Sequence, residues 1–82
     1  MENELITIGT GLSVGLGAIG AGLAIGLAAI ATGIAQARIG SAGMGLIGEK
    51  PEALGTAILL IAIPETMVIL GFAIAAMILL LG

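Results

Sequence analysis

Three polar groups stand out in a chain that is otherwise almost uninterrupted hydrocarbon. Glu65 and Thr66 follow Pro64 inside LLIAIPETMVILGF (residues 59–72), and Gln36 sits in GIAQARIG (residues 33–40). An ionised, unpaired carboxylate in the middle of a membrane helix costs at least about 2.5 kcal/mol, so Glu65 must be protonated, paired or bound to a cation. A site neutralised by a proton can load and release that proton. A site neutralised by a cation needs oxygen ligands, because hard ions such as sodium prefer them. Glutamine offers two amide donors and an acceptor oxygen, and threonine offers a hydroxyl. Pro64 has no N–H, which leaves the Leu60 carbonyl without its helical donor. The oxygens within reach are thus the Glu65 carboxylate, the Gln36 amide, the Thr66 hydroxyl and a backbone carbonyl near Pro64. Taken singly, Thr66 reads as a hydroxyl bonded back to its own helix, Gln36 as interhelical glue and Pro64 as a tolerated kink. Glu65 has no comparable structural reading, since its own helix face carries Ile58, Ile61, Ile69 and Phe72.

The elements that position these groups are two apolar runs, Leu5–Ala37 and Ala53–Leu81. Each exceeds the roughly 20 residues needed to cross the hydrocarbon layer. Between Glu4 and Glu65, every charged residue lies between or at the edge of these runs: Arg38, Glu49, Lys50 and Glu52. Pro51 suits the first turn of a second helix. The expected fold is all-α: a single two-helix transmembrane hairpin over residues 1–82. Helix one should cover about 5–45, the loop about 46–51 and helix two about 52–81. The midpoint between Gln36 and Glu65 falls at Lys50–Pro51, in the turn. Residues equidistant from a hairpin turn lie at equal depth, so these two should share one level of the membrane, within one chain or between neighbouring copies. Both basic residues lie on the loop side, which predicts a cytoplasmic loop and outward-facing termini.

Composition narrows the function. Of 82 residues, 60% are hydrophobic and 9% charged, against roughly a quarter charged in soluble domains, so the bilayer is the expected solvent. There is no Cys and no His, which removes disulfides, thiol catalysis and most transition-metal sites. Only two residues are basic, which excludes nucleic acid as a partner. The start MENELITIG carries no Lys or Arg, unlike a secretory leader, so Met1–Gly82 is expected to be the mature chain. The match to G-x-G-x-x-G at Gly15, Gly17 and Gly20 follows no strand and lies in an apolar helix, so it is not read as a dinucleotide motif.

Glycine in a helix costs about 1 kcal/mol relative to alanine, so its arrangement in helix one calls for a reason. Gly11, Gly15, Gly22, Gly26, Gly33 and Gly40 fall within about 40° of one direction at the helical 100° per residue. Leu12, Leu16, Ile19, Leu23, Leu27, Ile30 and Ile34 form a separate bulky stripe. A second small stripe, Gly9, Gly17, Gly20, Ala24, Ala31 and Ala35, lies opposite the first. Small faces let membrane helices approach closely. Two of them suit a copy with a left and a right neighbour, and contacts of that kind close into a ring. The expectation is a homo-oligomeric ring with helix one on the crowded inner side.

These features together resemble the proteolipid ring subunit (c or K subunit) of rotary ATPases and ATP synthases, over the whole chain. The likeness rests on the glycine-rich first helix, GIAQARIG, the loop GEKPEALG and IPETMVILGF. Glu49-Lys50-Pro51, where F-type loops usually read Arg-Gln-Pro, and Pro64-Glu65-Thr66 are more similar to the A/V type. The resemblance implies a non-catalytic rotor protein without a cofactor. In it Glu65 binds and releases H+ or Na+ as the ring turns, coupling ion flow to ATP synthesis or hydrolysis. It implies Gln36, Thr66 and the Ile63 carbonyl as further sodium ligands, although no Tyr stands beside the site as it often does in sodium-binding relatives; Met67 and Leu70 stand there instead. It further implies a stator membrane subunit with an arginine, a central-stalk subunit against the cytoplasmic loop, and a place in the cell membrane. The competing reading from the residues alone is a small oligomeric ion-coupled transporter or channel using Glu65.

Overall fold

The computed structural model describes all 82 residues and is entirely helical. Helix α1 spans Glu2–Glu49, a short 3-10 turn spans Pro51–Ala53, and helix α2 spans Leu54–Leu81. The two long helices pair as a hairpin, and each is long and apolar enough to cross a membrane. The molecule measures 71 × 18 × 8 Å, and its long axis is set by α1, whose 48 residues rise about 1.5 Å each.

Helix one is longer at both ends than the sequence pattern predicts, and the loop is shorter. The glycines at 40, 43, 45 and 48 do not end it. In a medium without water every freed backbone group is costly, and the cost of glycine per residue is smaller. Proline ends it instead. A residue before proline is pushed out of the helical region, and Lys50 accordingly adopts φ −135°, ψ 86°. Its N–H still donates to Leu46 O at 2.7 Å, and Ala53 N–H donates to Lys50 O at 2.9 Å. These bonds turn the chain through a single non-helical residue, with Pro51 opening the next turn.

The hairpin seam is built from small residues. On α2 it consists of Ala57, Pro64, Gly71 and Ala75; on α1 the buried residues are Ala21 and Thr32. Residues 57, 64 and 71 recur every seven positions, the spacing of a helix-pairing seam. A Cβ placed on Gly71 would lie 2.9 Å from Ala28 Cβ and 3.0 Å from Ala24 O, so the absence of a side chain there permits the close approach. Near the turn the fit is less tight: a Cβ placed on Gly43 would lie 3.4 Å from Ala57 Cβ, an ordinary contact.

Helix two docks on the edge of α1 that carries Ala21, Ala28, Thr32 and Ile39. At 100° per residue this edge lies about 110° from the Gly11–Gly40 stripe and about 160° from the bulky Leu12–Ile34 stripe. A Cβ on any of Gly11, Gly15, Gly22, Gly26, Gly33 or Gly40 would touch nothing within 4 Å, so that stripe is open in the hairpin. The opposed small stripe is not wholly open: Gly17 borders Ile78 and the Ala24 carbonyl lies against Gly71. The second smooth face is therefore shared with the chain's own helix two, because α2 is wide enough to overlap the stripe beside the edge it docks on. Large apolar side chains such as Leu16, Leu23, Ile58 and Phe72 remain exposed. A hairpin of this kind buries them only in lipid or against further copies.

Candidate ion-binding site

The site forms where the two anomalies of the sequence meet. Gln36 Nε2 donates to Glu65 Oε2 at 2.7 Å within one chain, so the equal-depth pairing takes place between the two helices of a single hairpin. The bond is short, as expected when the acceptor is a carboxylate. Gln36 is half-buried at the seam and Glu65 is exposed beside it, while Thr66 is exposed on the far side of α2. The glutamine's carbonyl oxygen accepts no bond, and Glu65 has a second oxygen free, so acceptors remain at the site for a proton or a cation.

Thr66 Oγ1 donates to Ile63 O at 2.6 Å. The hydroxyl therefore bonds back to its own helix, and it pairs two of the expected oxygens within the turn that carries Glu65. Of the two carbonyls expected as candidates, Ile63 and Leu60, only that of Ile63 accepts from a side chain. No side chain serves the Leu60 carbonyl that Pro64 leaves without a donor. Arg38 forms neither an ion pair nor a hydrogen bond, and at two residues' spacing it points away from Gln36.

One participant is not foreseen from the sequence. Thr32, only 3% exposed, donates from Oγ1 to the Pro64 carbonyl at 2.9 Å. It lies one helical turn before Gln36, so the two residues present adjacent donors to consecutive positions of α2, Pro64 and Glu65. The available signal was the four-residue spacing of two polar side chains in an apolar helix. The acceptor gave no signal, since a backbone carbonyl has no residue type.

Residues 19–78 match the family model for the C subunit of ATP synthase, a stretch that contains Thr32, Gln36 and the whole Pro64–Thr66 turn. The chain belongs to this family. No match is found among curated proteins. The family consists of non-catalytic rotor proteins that translocate ions and assemble into a ring beside the membrane subunit of the stator. A protein of two apolar helices in this family is a membrane protein. Family membership thus selects the rotor ring over the small transporter or channel.

Proposed function

We propose that Glu65 is the ion-carrying group of this protein, exchanging H+ or Na+ as the ring rotates past the stator. The observation that carries this reading is the 2.7 Å bond from Gln36 to Glu65: the one carboxylate of the spans is held by an amide from the other helix, at a depth far from the loop and the termini. Gln36 orients the carboxyl and shares its charge. Thr66 Oγ1 and Ile63 O, already 2.6 Å apart, supply the remaining oxygens when the ion is sodium. When it is a proton, the free carboxyl oxygen carries it and the Gln36 bond stays in place.

The exposed position of Glu65 on α2 suits the cycle. The group reaches the stator without passing through the hairpin core, and loading it with a cation removes the charge before it meets lipid. An arginine on the stator's membrane subunit, a cation facing the ionised carboxylate, drives release. The open Gly11–Gly40 stripe on one side and the partly shared Gly9–Ala35 stripe on the other support lateral contacts between copies, with the bulky Leu12–Ile34 stripe turned to the ring interior. Lys50 and Arg38 at the turn end support a cytoplasmic loop, which places Glu49, Lys50 and Glu52 where a central-stalk subunit docks. The loop Glu49-Lys50-Pro51 and the Pro64-Glu65-Thr66 turn favour an A/V-type complex in the cell membrane.

Carbodiimide labelling of the purified ring across a pH series, with and without sodium, tests the reading and identifies the ion. Modification is expected at Glu65. Protection by sodium at near-neutral pH assigns a sodium site, and absence of protection at high sodium assigns protons. Failure of Glu65 to react at any pH contradicts the proposal.

A further inference from the structure

We infer that Thr32 is a positioning residue for the Glu65 site, acting through the Pro64 carbonyl. The inference rests on the reading of Glu65 as the ion carrier and adds a component that the reading does not contain.

Two bonds cross the hairpin at this level. Thr32 Oγ1 reaches Pro64 O at 2.9 Å, and Gln36 Nε2 reaches Glu65 Oε2 at 2.7 Å. Their donors are one turn apart on α1 and their acceptors are consecutive on α2. A single interhelical bond leaves a helix free to rotate about its own axis. A second bond, made to the main-chain carbonyl of the preceding residue, anchors the backbone itself against that rotation. The pair therefore fixes which way Glu65 leaves the helix. The peptide unit gripped by Thr32 is the one joining Pro64 to Glu65, so the grip acts on the backbone that carries the carboxylate.

The site has particular need of such a grip. Pro64 removes a rung from the α2 ladder at Leu60 O, which loosens the helix immediately before Glu65. Packing there is by small side chains, Pro64 against the Thr32 edge, which resists sliding and rotation weakly. A hydroxyl from the facing helix supplies the missing constraint. Thr32 and Pro64 are both buried, so water does not compete for the bond. The same bond occupies Pro64 O with a donor. That directs this carbonyl away from the ion and leaves Ile63 O, on the Thr66 side, as the backbone oxygen next to Glu65.

The test compares Thr32→Val, which keeps the shape and removes the donor, with Thr32→Ser, which keeps the donor and removes a methyl. Both are made in the full chain and studied as the assembled ring. The first readout is the rate of carbodiimide modification of Glu65 across pH. The second is the infrared band of Pro64 carrying an isotope-labelled carbonyl. Thr32→Val is expected to displace the pH profile, with a rate change of roughly fivefold at fixed pH, the equivalent of about one net hydrogen bond. It is also expected to shift the Pro64 band upward. Thr32→Ser is expected to keep the wild-type profile and band. A wild-type profile in Thr32→Val overturns the inference, and so does an equal displacement in Thr32→Ser, which would assign the effect to the methyl. Should Thr32→Val fail to assemble, the labelled carbonyl in wild type and Thr32→Ser decides, and a band without the second hydrogen bond overturns the inference. If wild-type Glu65 is unreactive at every pH, the ion-carrier reading fails, while the Pro64 band still reports whether the grip exists.

Discussion

Replacing Gly71 by valine should pull the hairpin apart at the level of the site. The new Cβ would lie 2.9 Å from Ala28 Cβ and 3.0 Å from Ala24 O. Carbon atoms pack at about 3.5 Å or more, so the helices must separate by about 0.6 Å. None of the opposing atoms can rotate away, since they are backbone or a Cβ. Transmitted to the site one and a half turns along α2, that displacement stretches the Gln36–Glu65 bond from 2.7 Å to about 3.3 Å, beyond the usual hydrogen-bond range. Overpacking of this kind costs about 1–3 kcal/mol. The gain in helix propensity from Gly to Val returns only about 0.3 kcal/mol, so a net loss of about 1–3 kcal/mol is expected. The assay is energy transfer between dyes on Ser13→Cys and Gly82→Cys, two positions that line one groove at the open end of the hairpin, as SDS is titrated into the full chain in a mild detergent. Gly71→Val should lower the SDS midpoint. A midpoint at or above that of the parent chain would refute the reasoning that Gly71 sets the interhelical distance.

The open glycine stripe makes the opposite prediction. Gly22→Val and Gly26→Val should leave the same hairpin assay unchanged, because no atom lies within 4 Å of either Cβ position, yet native mass measurements should show loss of the ring; intact rings would remove this stripe from the lateral contacts. Gln36→Leu deprives Glu65 of a hydrogen bond to a charged group, worth about 1.5–3 kcal/mol, so ion transport at subsaturating ion concentration should fall roughly tenfold or more in reconstituted vesicles. Wild-type transport by that variant would show that the 2.7 Å bond has no role in ion binding.

Much of this architecture is legible in the sequence because the constraints are severe. Two apolar runs separated by one charged loop admit few arrangements other than a hairpin, and counting outward from Lys50–Pro51 pairs Gln36 with Glu65 without any structure. The end of α1 is harder to read. Glycines at 40, 43, 45 and 48 suggest early fraying, but the proline at 51 decides the boundary, since lost hydrogen bonds outweigh glycine's entropy in a membrane helix. The α2 seam is legible in principle from the seven-residue recurrence of Ala57, Pro64 and Gly71, although Pro64 draws attention as a kink rather than as a packing surface. Thr32 is not legible. Its acceptor is a main-chain carbonyl, and counting from the turn opposes it to Ile69 rather than to Pro64. The two small stripes of α1 are visible as stripes, but the edge that α2 occupies between them depends on side-chain volume on both helices.

The most direct test of the central claim is ion-coupled ATP synthesis by the reconstituted complex carrying Glu65→Gln. The substitution keeps the size of the side chain and its capacity to hydrogen-bond to Gln36 while removing the exchangeable charge. The predicted result is a ring of normal mass that supports no ATP synthesis driven by an imposed proton or sodium gradient. Coupled synthesis at a substantial fraction of the wild-type rate would contradict the account.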